Sequence, residues 1–186
     1  MGWGDRLCGF YASQTATEMY GFDPNPAVFE TYREQCEAYE KYLSDDYDVT
    51  ISNSQEELHC IGKKTVHAFN VAAEDVDYSS LPDDIDVMLS SPPYFCREKY
   101  AKGSDKVDLQ SWYRYKTLDD WMERFMKKVL SESWSRIKIG GFVCINISDV
   151  NLRGERYPIC DELIDYMVAN LNGCEFKGVI GIFFFR

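Results

Sequence analysis

Asp86-Val87-Met88-Leu89-Ser90-Ser91-Pro92-Pro93-Tyr94 decides the reading of this chain: four residues of apolar strand pattern run directly into a doubly proline-stiffened turn. Consecutive prolines fix φ and remove two N–H donors, so the strand ladder cannot continue and the turn is left with carbonyl acceptors. Ser91 Oγ and the Pro92 carbonyl can together accept the two hydrogens of an exocyclic amine. The Tyr94 ring offers a face on which a planar base can stack. A polyproline ligand segment would carry similar residues, but such motifs usually lie in disordered tracts rather than at a strand end.

Outward from this turn, strand and helix patterns alternate. Residues 19–22 form a short apolar run ending at Asp23-Pro24-Asn25-Pro26, and residues 27–43 read as a helix. Residues 65–70 are strand-like. Leu118, Trp121, Met122, Phe125, Val129 and Leu130 recur at helical spacing up to Gly140-Gly141, and residues 142–147 follow as a buried strand. Residues 160–171 read as a helix stopped by Asn172-Gly173, and residues 176–185 as a last apolar strand. The alternation predicts an α/β domain with a mostly parallel sheet and helices on both faces. At 186 residues the chain is read as one domain, and 45% apolar content excludes wholesale disorder.

The amino end carries a second candidate turn. Gly2-Trp3-Gly4 precedes a helix pattern over residues 5–11, and Asp23 lies 19 residues beyond Gly4 at the end of a strand. In nucleotide-binding α/β folds a glycine turn admits the ligand to the backbone, and an acidic residue about 20 positions on takes the ribose hydroxyls. A flexible amino end followed by a turn aspartate is the plain alternative.

Taken in order, Gly2, Gly4, Asp23 and Ser91 to Tyr94 resemble the S-adenosyl-L-methionine-dependent DNA amino-methyltransferases of the N4-cytosine and N6-adenine type, closest to those of phages and large DNA viruses. The resemblance covers residues 1 to about 148, with the Ser-Pro-Pro-Tyr motif its most specific part. It implies a Rossmann-like class I methyltransferase fold, with Gly2 and Gly4 at the methionine part of the cofactor and Asp23 at its ribose. Ser91, Pro92, Pro93 and Tyr94 would hold the target base. An acidic group after the third strand meets the cofactor's adenine in this family, and Glu74 and Asp75 fit, although a solvated acidic loop would explain them equally. The serine form of the motif favours cytosine over adenine. Against the family pattern, the first strand is missing ahead of Gly2, and the chain reads as truncated at both ends. A second chain or an oligomer completing the sheet is therefore an expected partner. A non-catalytic interaction subunit of the same fold, or an RNA base methyltransferase, is the alternative reading.

Charge constrains the partner. The net charge is -11, and residues 1–60 hold 3 basic against 12 acidic groups. Residues 95–138 reverse the sign with 11 basic against 7 acidic. There Arg97, Lys99, Lys102 and Arg114, interleaved with Tyr100, Trp112, Tyr113 and Tyr115, are the candidate DNA contacts: cations track phosphates and aromatics stack unpaired bases. An ordinary mobile surface loop is the alternative. The seven cysteines contain no C-x-x-C pair, His59 and His67 lack partners at metal-ligand spacing, and no metal site is expected. With no signal peptide pattern and no apolar stretch long enough to span a bilayer, an intracellular, cytoplasmic location is expected, in an infected host cell if the viral likeness holds.

Overall fold

Two parallel strand pairs organise the chain, and in each the first strand runs directly into a residue singled out above, Asp23 or Ser91. The computed structural model describes residues 1–51, 57–95, 99, 103, 107–152 and 154–180. Strand β1 (Glu18–Phe22) pairs in parallel with β4 (Thr65–Phe69), and β5 (Ile85–Ser90) pairs in parallel with β6 (Ile137–Ile145). The molecule is thus mixed α/β.

The first sheet has the order β1-β4-β3-β2, where β2 (Asp48–Ile51) and β3 (Glu57–Ile61) are antiparallel to their neighbours. Helices α1 (Asp5–Ala12) and α2 (Phe29–Leu43) supply Leu7, Phe10, Phe29, Tyr32 and Cys36 to a core completed by Leu58, Cys60, Val66 and Ala68 of the strands. Phe29, Tyr32, Cys36 and Glu40 fall on one helical stripe. Glu40 ends that stripe fully buried, its carboxylate accepting the main-chain N–H groups of Lys63 at 2.7 Å and Lys64 at 3.0 Å. The β3–β4 turn is thereby fastened to α2. Gly62 permits the approach, since a Cβ there would lie 2.4 Å from Glu40 Oε2. Lys64 Nζ in turn donates to the Phe10 and Ser13 carbonyls, covering the end of α1.

A second core lies on one face of the β5–β6 pair. Short helix α3 (Ser111–Arg114) leads into a continuous helix made of α4 (Leu118–Trp121), a π-helical stretch (Met122–Lys127) and α5 (Lys128–Trp134). The π turn brings Trp121, Met122, Phe125 and Met126 together into the interior. A small hairpin of β7 (Val150–Leu152) and β8 (Glu155–Tyr157) and helix α6 (Ile159–Asn170) close this core with Val150, Ile159 and Leu163.

Three expectations are corrected. Among the described residues antiparallel strand pairs outnumber parallel ones, because β2, β3 and the β7–β8 hairpin add three antiparallel pairings to the two parallel ones. Nor do helices cover both faces among the described residues: α1 and α2 cover one face of the first sheet, while the outward face of β5–β6 leaves Val87, Leu89 and Phe142 more than half exposed. Finally, residues 176–180 belong to no strand, with Val179 and Ile180 exposed; the rest of the expected last strand lies outside the described residues. No helix among the described residues is long and apolar enough to cross a membrane.

Candidate functional site

The proline turn sits where the strand pattern put it, directly after β5. Asn146 N–H, one residue past β6, donates to the Ser90 carbonyl at 2.8 Å, so the two parallel strands end side by side. Pro92 is buried, and Ser91, Pro93 and Tyr94 are half-buried. The Phe95 N–H donates to the Pro93 carbonyl at 2.8 Å, closing a three-residue turn around Tyr94. Phe95 takes φ 45°, a left-handed conformation that a bulky residue rarely adopts. Burial against Trp121, at 6.1 Å between ring centroids, holds it there. The strained residue anchors the turn in the second core.

The amino-terminal glycine turn and Asp23 do meet, although their sequence positions are far apart. Gly2 N–H donates to Asp23 Oδ2 at 2.9 Å, and Gly2 and Gly4 both take positive φ, which only glycine adopts readily. The Tyr32 hydroxyl lies between the Gly2 carbonyl and Asp23 Oδ2, its single hydrogen shared by the two acceptors. Burial and the neighbouring Asp23 charge push the Tyr32 phenol far above its ordinary value. Asn25 N–H donates to Oδ1 at 3.0 Å, and the Met1 ammonium stands 3.7 Å from Oδ2. Burial lowers the pKa of that ammonium, and the Asp23 charge offsets part of the effect. Asp23 thus holds the chain's own amino end and keeps one acceptor position on Oδ1 for a further donor. Tyr32, which sequence reasoning placed simply on a helix, is the residue that orients it. The Asn70 side-chain amide bonds the Asp23 carbonyl at 2.9 Å and ties the ends of β1 and β4 together.

Glu74 and Asp75 line an open cleft of about 720 Å³ with Arg114, Tyr115, Glu123, Arg124 and Lys128. Three carboxylates and three cations make its walls neutral overall. Glu74 is 4% exposed and accepts from the Tyr115 hydroxyl and from Arg114 Nη1, both at 3.1 Å. The same guanidinium nitrogen lies 2.6 Å from Asp75 Oδ2, and Arg114 Nε donates to the Asp108 carbonyl at 2.7 Å. Burial pushes the Glu74 carboxyl above its ordinary range despite the cation beside it. The Tyr115 phenol is pushed up to about 12 by burial and by the Glu74 charge. Arg114, expected at the DNA backbone, is engaged by the two carboxylates expected to meet the cofactor. Neither Asp23 nor Ser91 to Tyr94 lines this cleft.

The remaining basic residues divide. Arg97 and Lys102 lie outside the described residues. Lys99 is exposed, its ammonium 5.7 Å from the Trp112 ring centroid, and Lys116 stands 4.5 Å from that of Tyr113. Cations over a half-buried indole and an exposed phenol are a combination that binds unpaired nucleotides, and they also satisfy one another without a ligand. Arg124 and Lys128, carried by the long helix, line the cleft. His59 and His67 are brought side by side by the β3–β4 register. Comparison with known protein families, curated proteins and solved structures finds no match to this chain.

Proposed function

We propose that the chain is an S-adenosyl-L-methionine-dependent amino-methyltransferase acting on the exocyclic amine of a base in DNA, with N4 of cytosine favoured over N6 of adenine, on a Rossmann-like fold. The observation that carries the reading is the Ser91-Pro92-Pro93-Tyr94 turn at the carboxyl end of a parallel strand, the edge at which open α/β sheets bind ligands. The cofactor fits in part. A cleft of about 720 Å³ with buried acidic Glu74 suits the adenosyl end, and Asp23 keeps an acceptor for a ribose hydroxyl, although Asp23 lines no wall of that cleft.

When bound, the cofactor supplies a methyl group on a positive sulfonium. An exocyclic amine is a weak nucleophile because its lone pair is delocalised into the ring. Ser91 Oγ and the Pro92 carbonyl would accept its two hydrogens, localise the lone pair and stabilise positive charge developing on nitrogen. Tyr94 would stack on the extruded base and fix its approach, so positioning supplies most of the acceleration. No cysteine need act as a nucleophile.

A second reading, a non-catalytic subunit of the same fold, is favoured by two observations: Arg114 already engages Glu74 and Asp75, and the Asp23 carboxylate is largely consumed by the amino end and Tyr32. Calorimetric titration with S-adenosyl-L-methionine separates the two. Saturable binding that weakens in Asp23→Ala and Glu74→Ala supports the enzyme, whereas no binding, alone or with DNA present, removes it.

A further inference from the structure

On the outward face of the first sheet, four side chains form a row across three strands: Glu18 of β1, His67 of β4, then His59 and Glu57 of β3. The register places His59 directly opposite His67. Their Nδ1 atoms are 2.8 Å apart, while His59 Nε2 lies 3.3 Å from Glu57 Oε2 and His67 Nε2 lies 3.5 Å from Glu18 Oε1. Each Nε2 facing a carboxylate is held as the N–H form, because a lone pair there would oppose the acceptor. A neutral imidazole has a single N–H. Both Nδ1 atoms then present lone pairs to each other at hydrogen-bond distance, an arrangement that either a proton or a metal cation between them resolves.

We propose that His59 and His67 form a binding site for a divalent cation of the zinc class, coordinated through the two Nδ1 atoms. A carboxylate on the far nitrogen of each ring is the usual support for a metal-bound histidine, fixing its tautomer and raising its basicity. The rings are also held in place: Tyr20 stacks on His67 at 5.0 Å, its hydroxyl donating to Glu18 at 2.7 Å, and Phe69 meets His59 edge-on at 6.0 Å. Zinc–nitrogen bonds of about 2.0–2.1 Å at tetrahedral angles require the nitrogens roughly 3.3 Å apart, a small opening that rotation of half-exposed rings supplies. Imidazole donors favour zinc, nickel or copper over magnesium and calcium. The surrounding acidic surface draws cations towards the sheet, with 12 acidic against 3 basic groups in residues 1–60. Among the described residues no third histidine, cysteine, aspartate or glutamate joins the pair, so water fills the remaining positions and the cation exchanges freely. The site does not depend on the methyltransferase reading.

The chain has only two histidines, so their ¹⁵N resonances are unambiguous. Titration of the whole chain with zinc chloride, followed by long-range ¹H–¹⁵N NMR, should move both Nδ1 signals together at one equivalent and leave Nε2 protonated. Magnesium chloride should leave both unchanged. In calorimetry, His59→Gln and His67→Gln should each weaken zinc binding at least tenfold. Unmoved histidine signals at saturating zinc would overturn the proposal, as would binding of equal strength in both variants, since exposed Cys8 and Cys144 are then the ligands.

Discussion

Replacing Asp23 tests whether this carboxylate organises the amino end as its contacts indicate. In Asp23→Ala the Gly2 N–H loses its acceptor at 2.9 Å and the Met1 ammonium loses its counter-charge, whereas Tyr32 keeps the Gly2 carbonyl and Met1 keeps the Phe22 carbonyl at 3.0 Å. The Asn25 N–H loses its acceptor at 3.0 Å as well, and two orphaned, partly buried donors near the lower end of about 1–3 kcal/mol each, with an uncompensated ammonium, set the scale. The expected loss is about 2–4 kcal/mol, which for a chain of this length lowers Tm by roughly 4–16 °C. Asp23→Asn keeps an acceptor and should lose about half as much. Urea unfolding at neutral pH, read by tryptophan fluorescence and circular dichroism, measures both. An alanine variant within about 0.5 kcal/mol of wild type would refute the reasoning, because ordinary surface substitutions fall in that range.

Other outcomes follow from the same contacts. Tyr94→Ala should abolish most methylation while changing S-adenosyl-L-methionine affinity less than about twofold, and Glu74→Ala should do the reverse; equal effects on both quantities would contradict the assignment. Trp121→Ala, at a fully buried position touching Phe95 and Phe125, should cost about 3–5 kcal/mol in urea unfolding. Because burial raises the Glu74 carboxyl, the folded chain holds that proton to higher pH than the unfolded one. The associated stabilisation is complete below the ordinary glutamate value of about 4.3 and is lost as pH rises through the raised one. Glu74→Gln should therefore gain stability relative to wild type as pH rises from about 4 to 7, and urea midpoints with a constant difference across that range would count against it.

The elements with strong periodicity were legible in the sequence. Residues 27–43 became a 3₁₀ turn (Pro26–Val28) followed by Phe29–Leu43, and the apolar run before the prolines became Ile85–Ser90. Asp48–Ile51 was not legible, because it lies in a polar stretch and is a strand only by virtue of the edge that β3 offers it. Gly140-Gly141 reads as a helix stop but lies inside β6, where any Cβ on Gly141 would meet the Asp86 carbonyl at 2.8 Å. The expected strand over residues 176–185 had the right composition, but its described part has no strand partner. Within the candidate site, Gly2 and Asp23 were expected at different parts of one cofactor, and their direct hydrogen bond was not legible in the spacing. The pairing of Glu74 with Arg114 was not legible either, since 40 residues and a turn of unknown direction separate them. The His59–His67 contact depends on a hairpin register that spacing alone does not specify.

The central claim, transfer of a methyl group to a base amine held by the proline turn, is tested most directly by incubating the chain with S-adenosyl-L-methionine and unmethylated DNA and analysing the digested nucleosides by mass spectrometry. N4-methylcytosine that disappears in Tyr94→Ala is the predicted result. Nucleosides free of both N4-methylcytosine and N6-methyladenine, under conditions where cofactor binding is measured in the same sample, would contradict it.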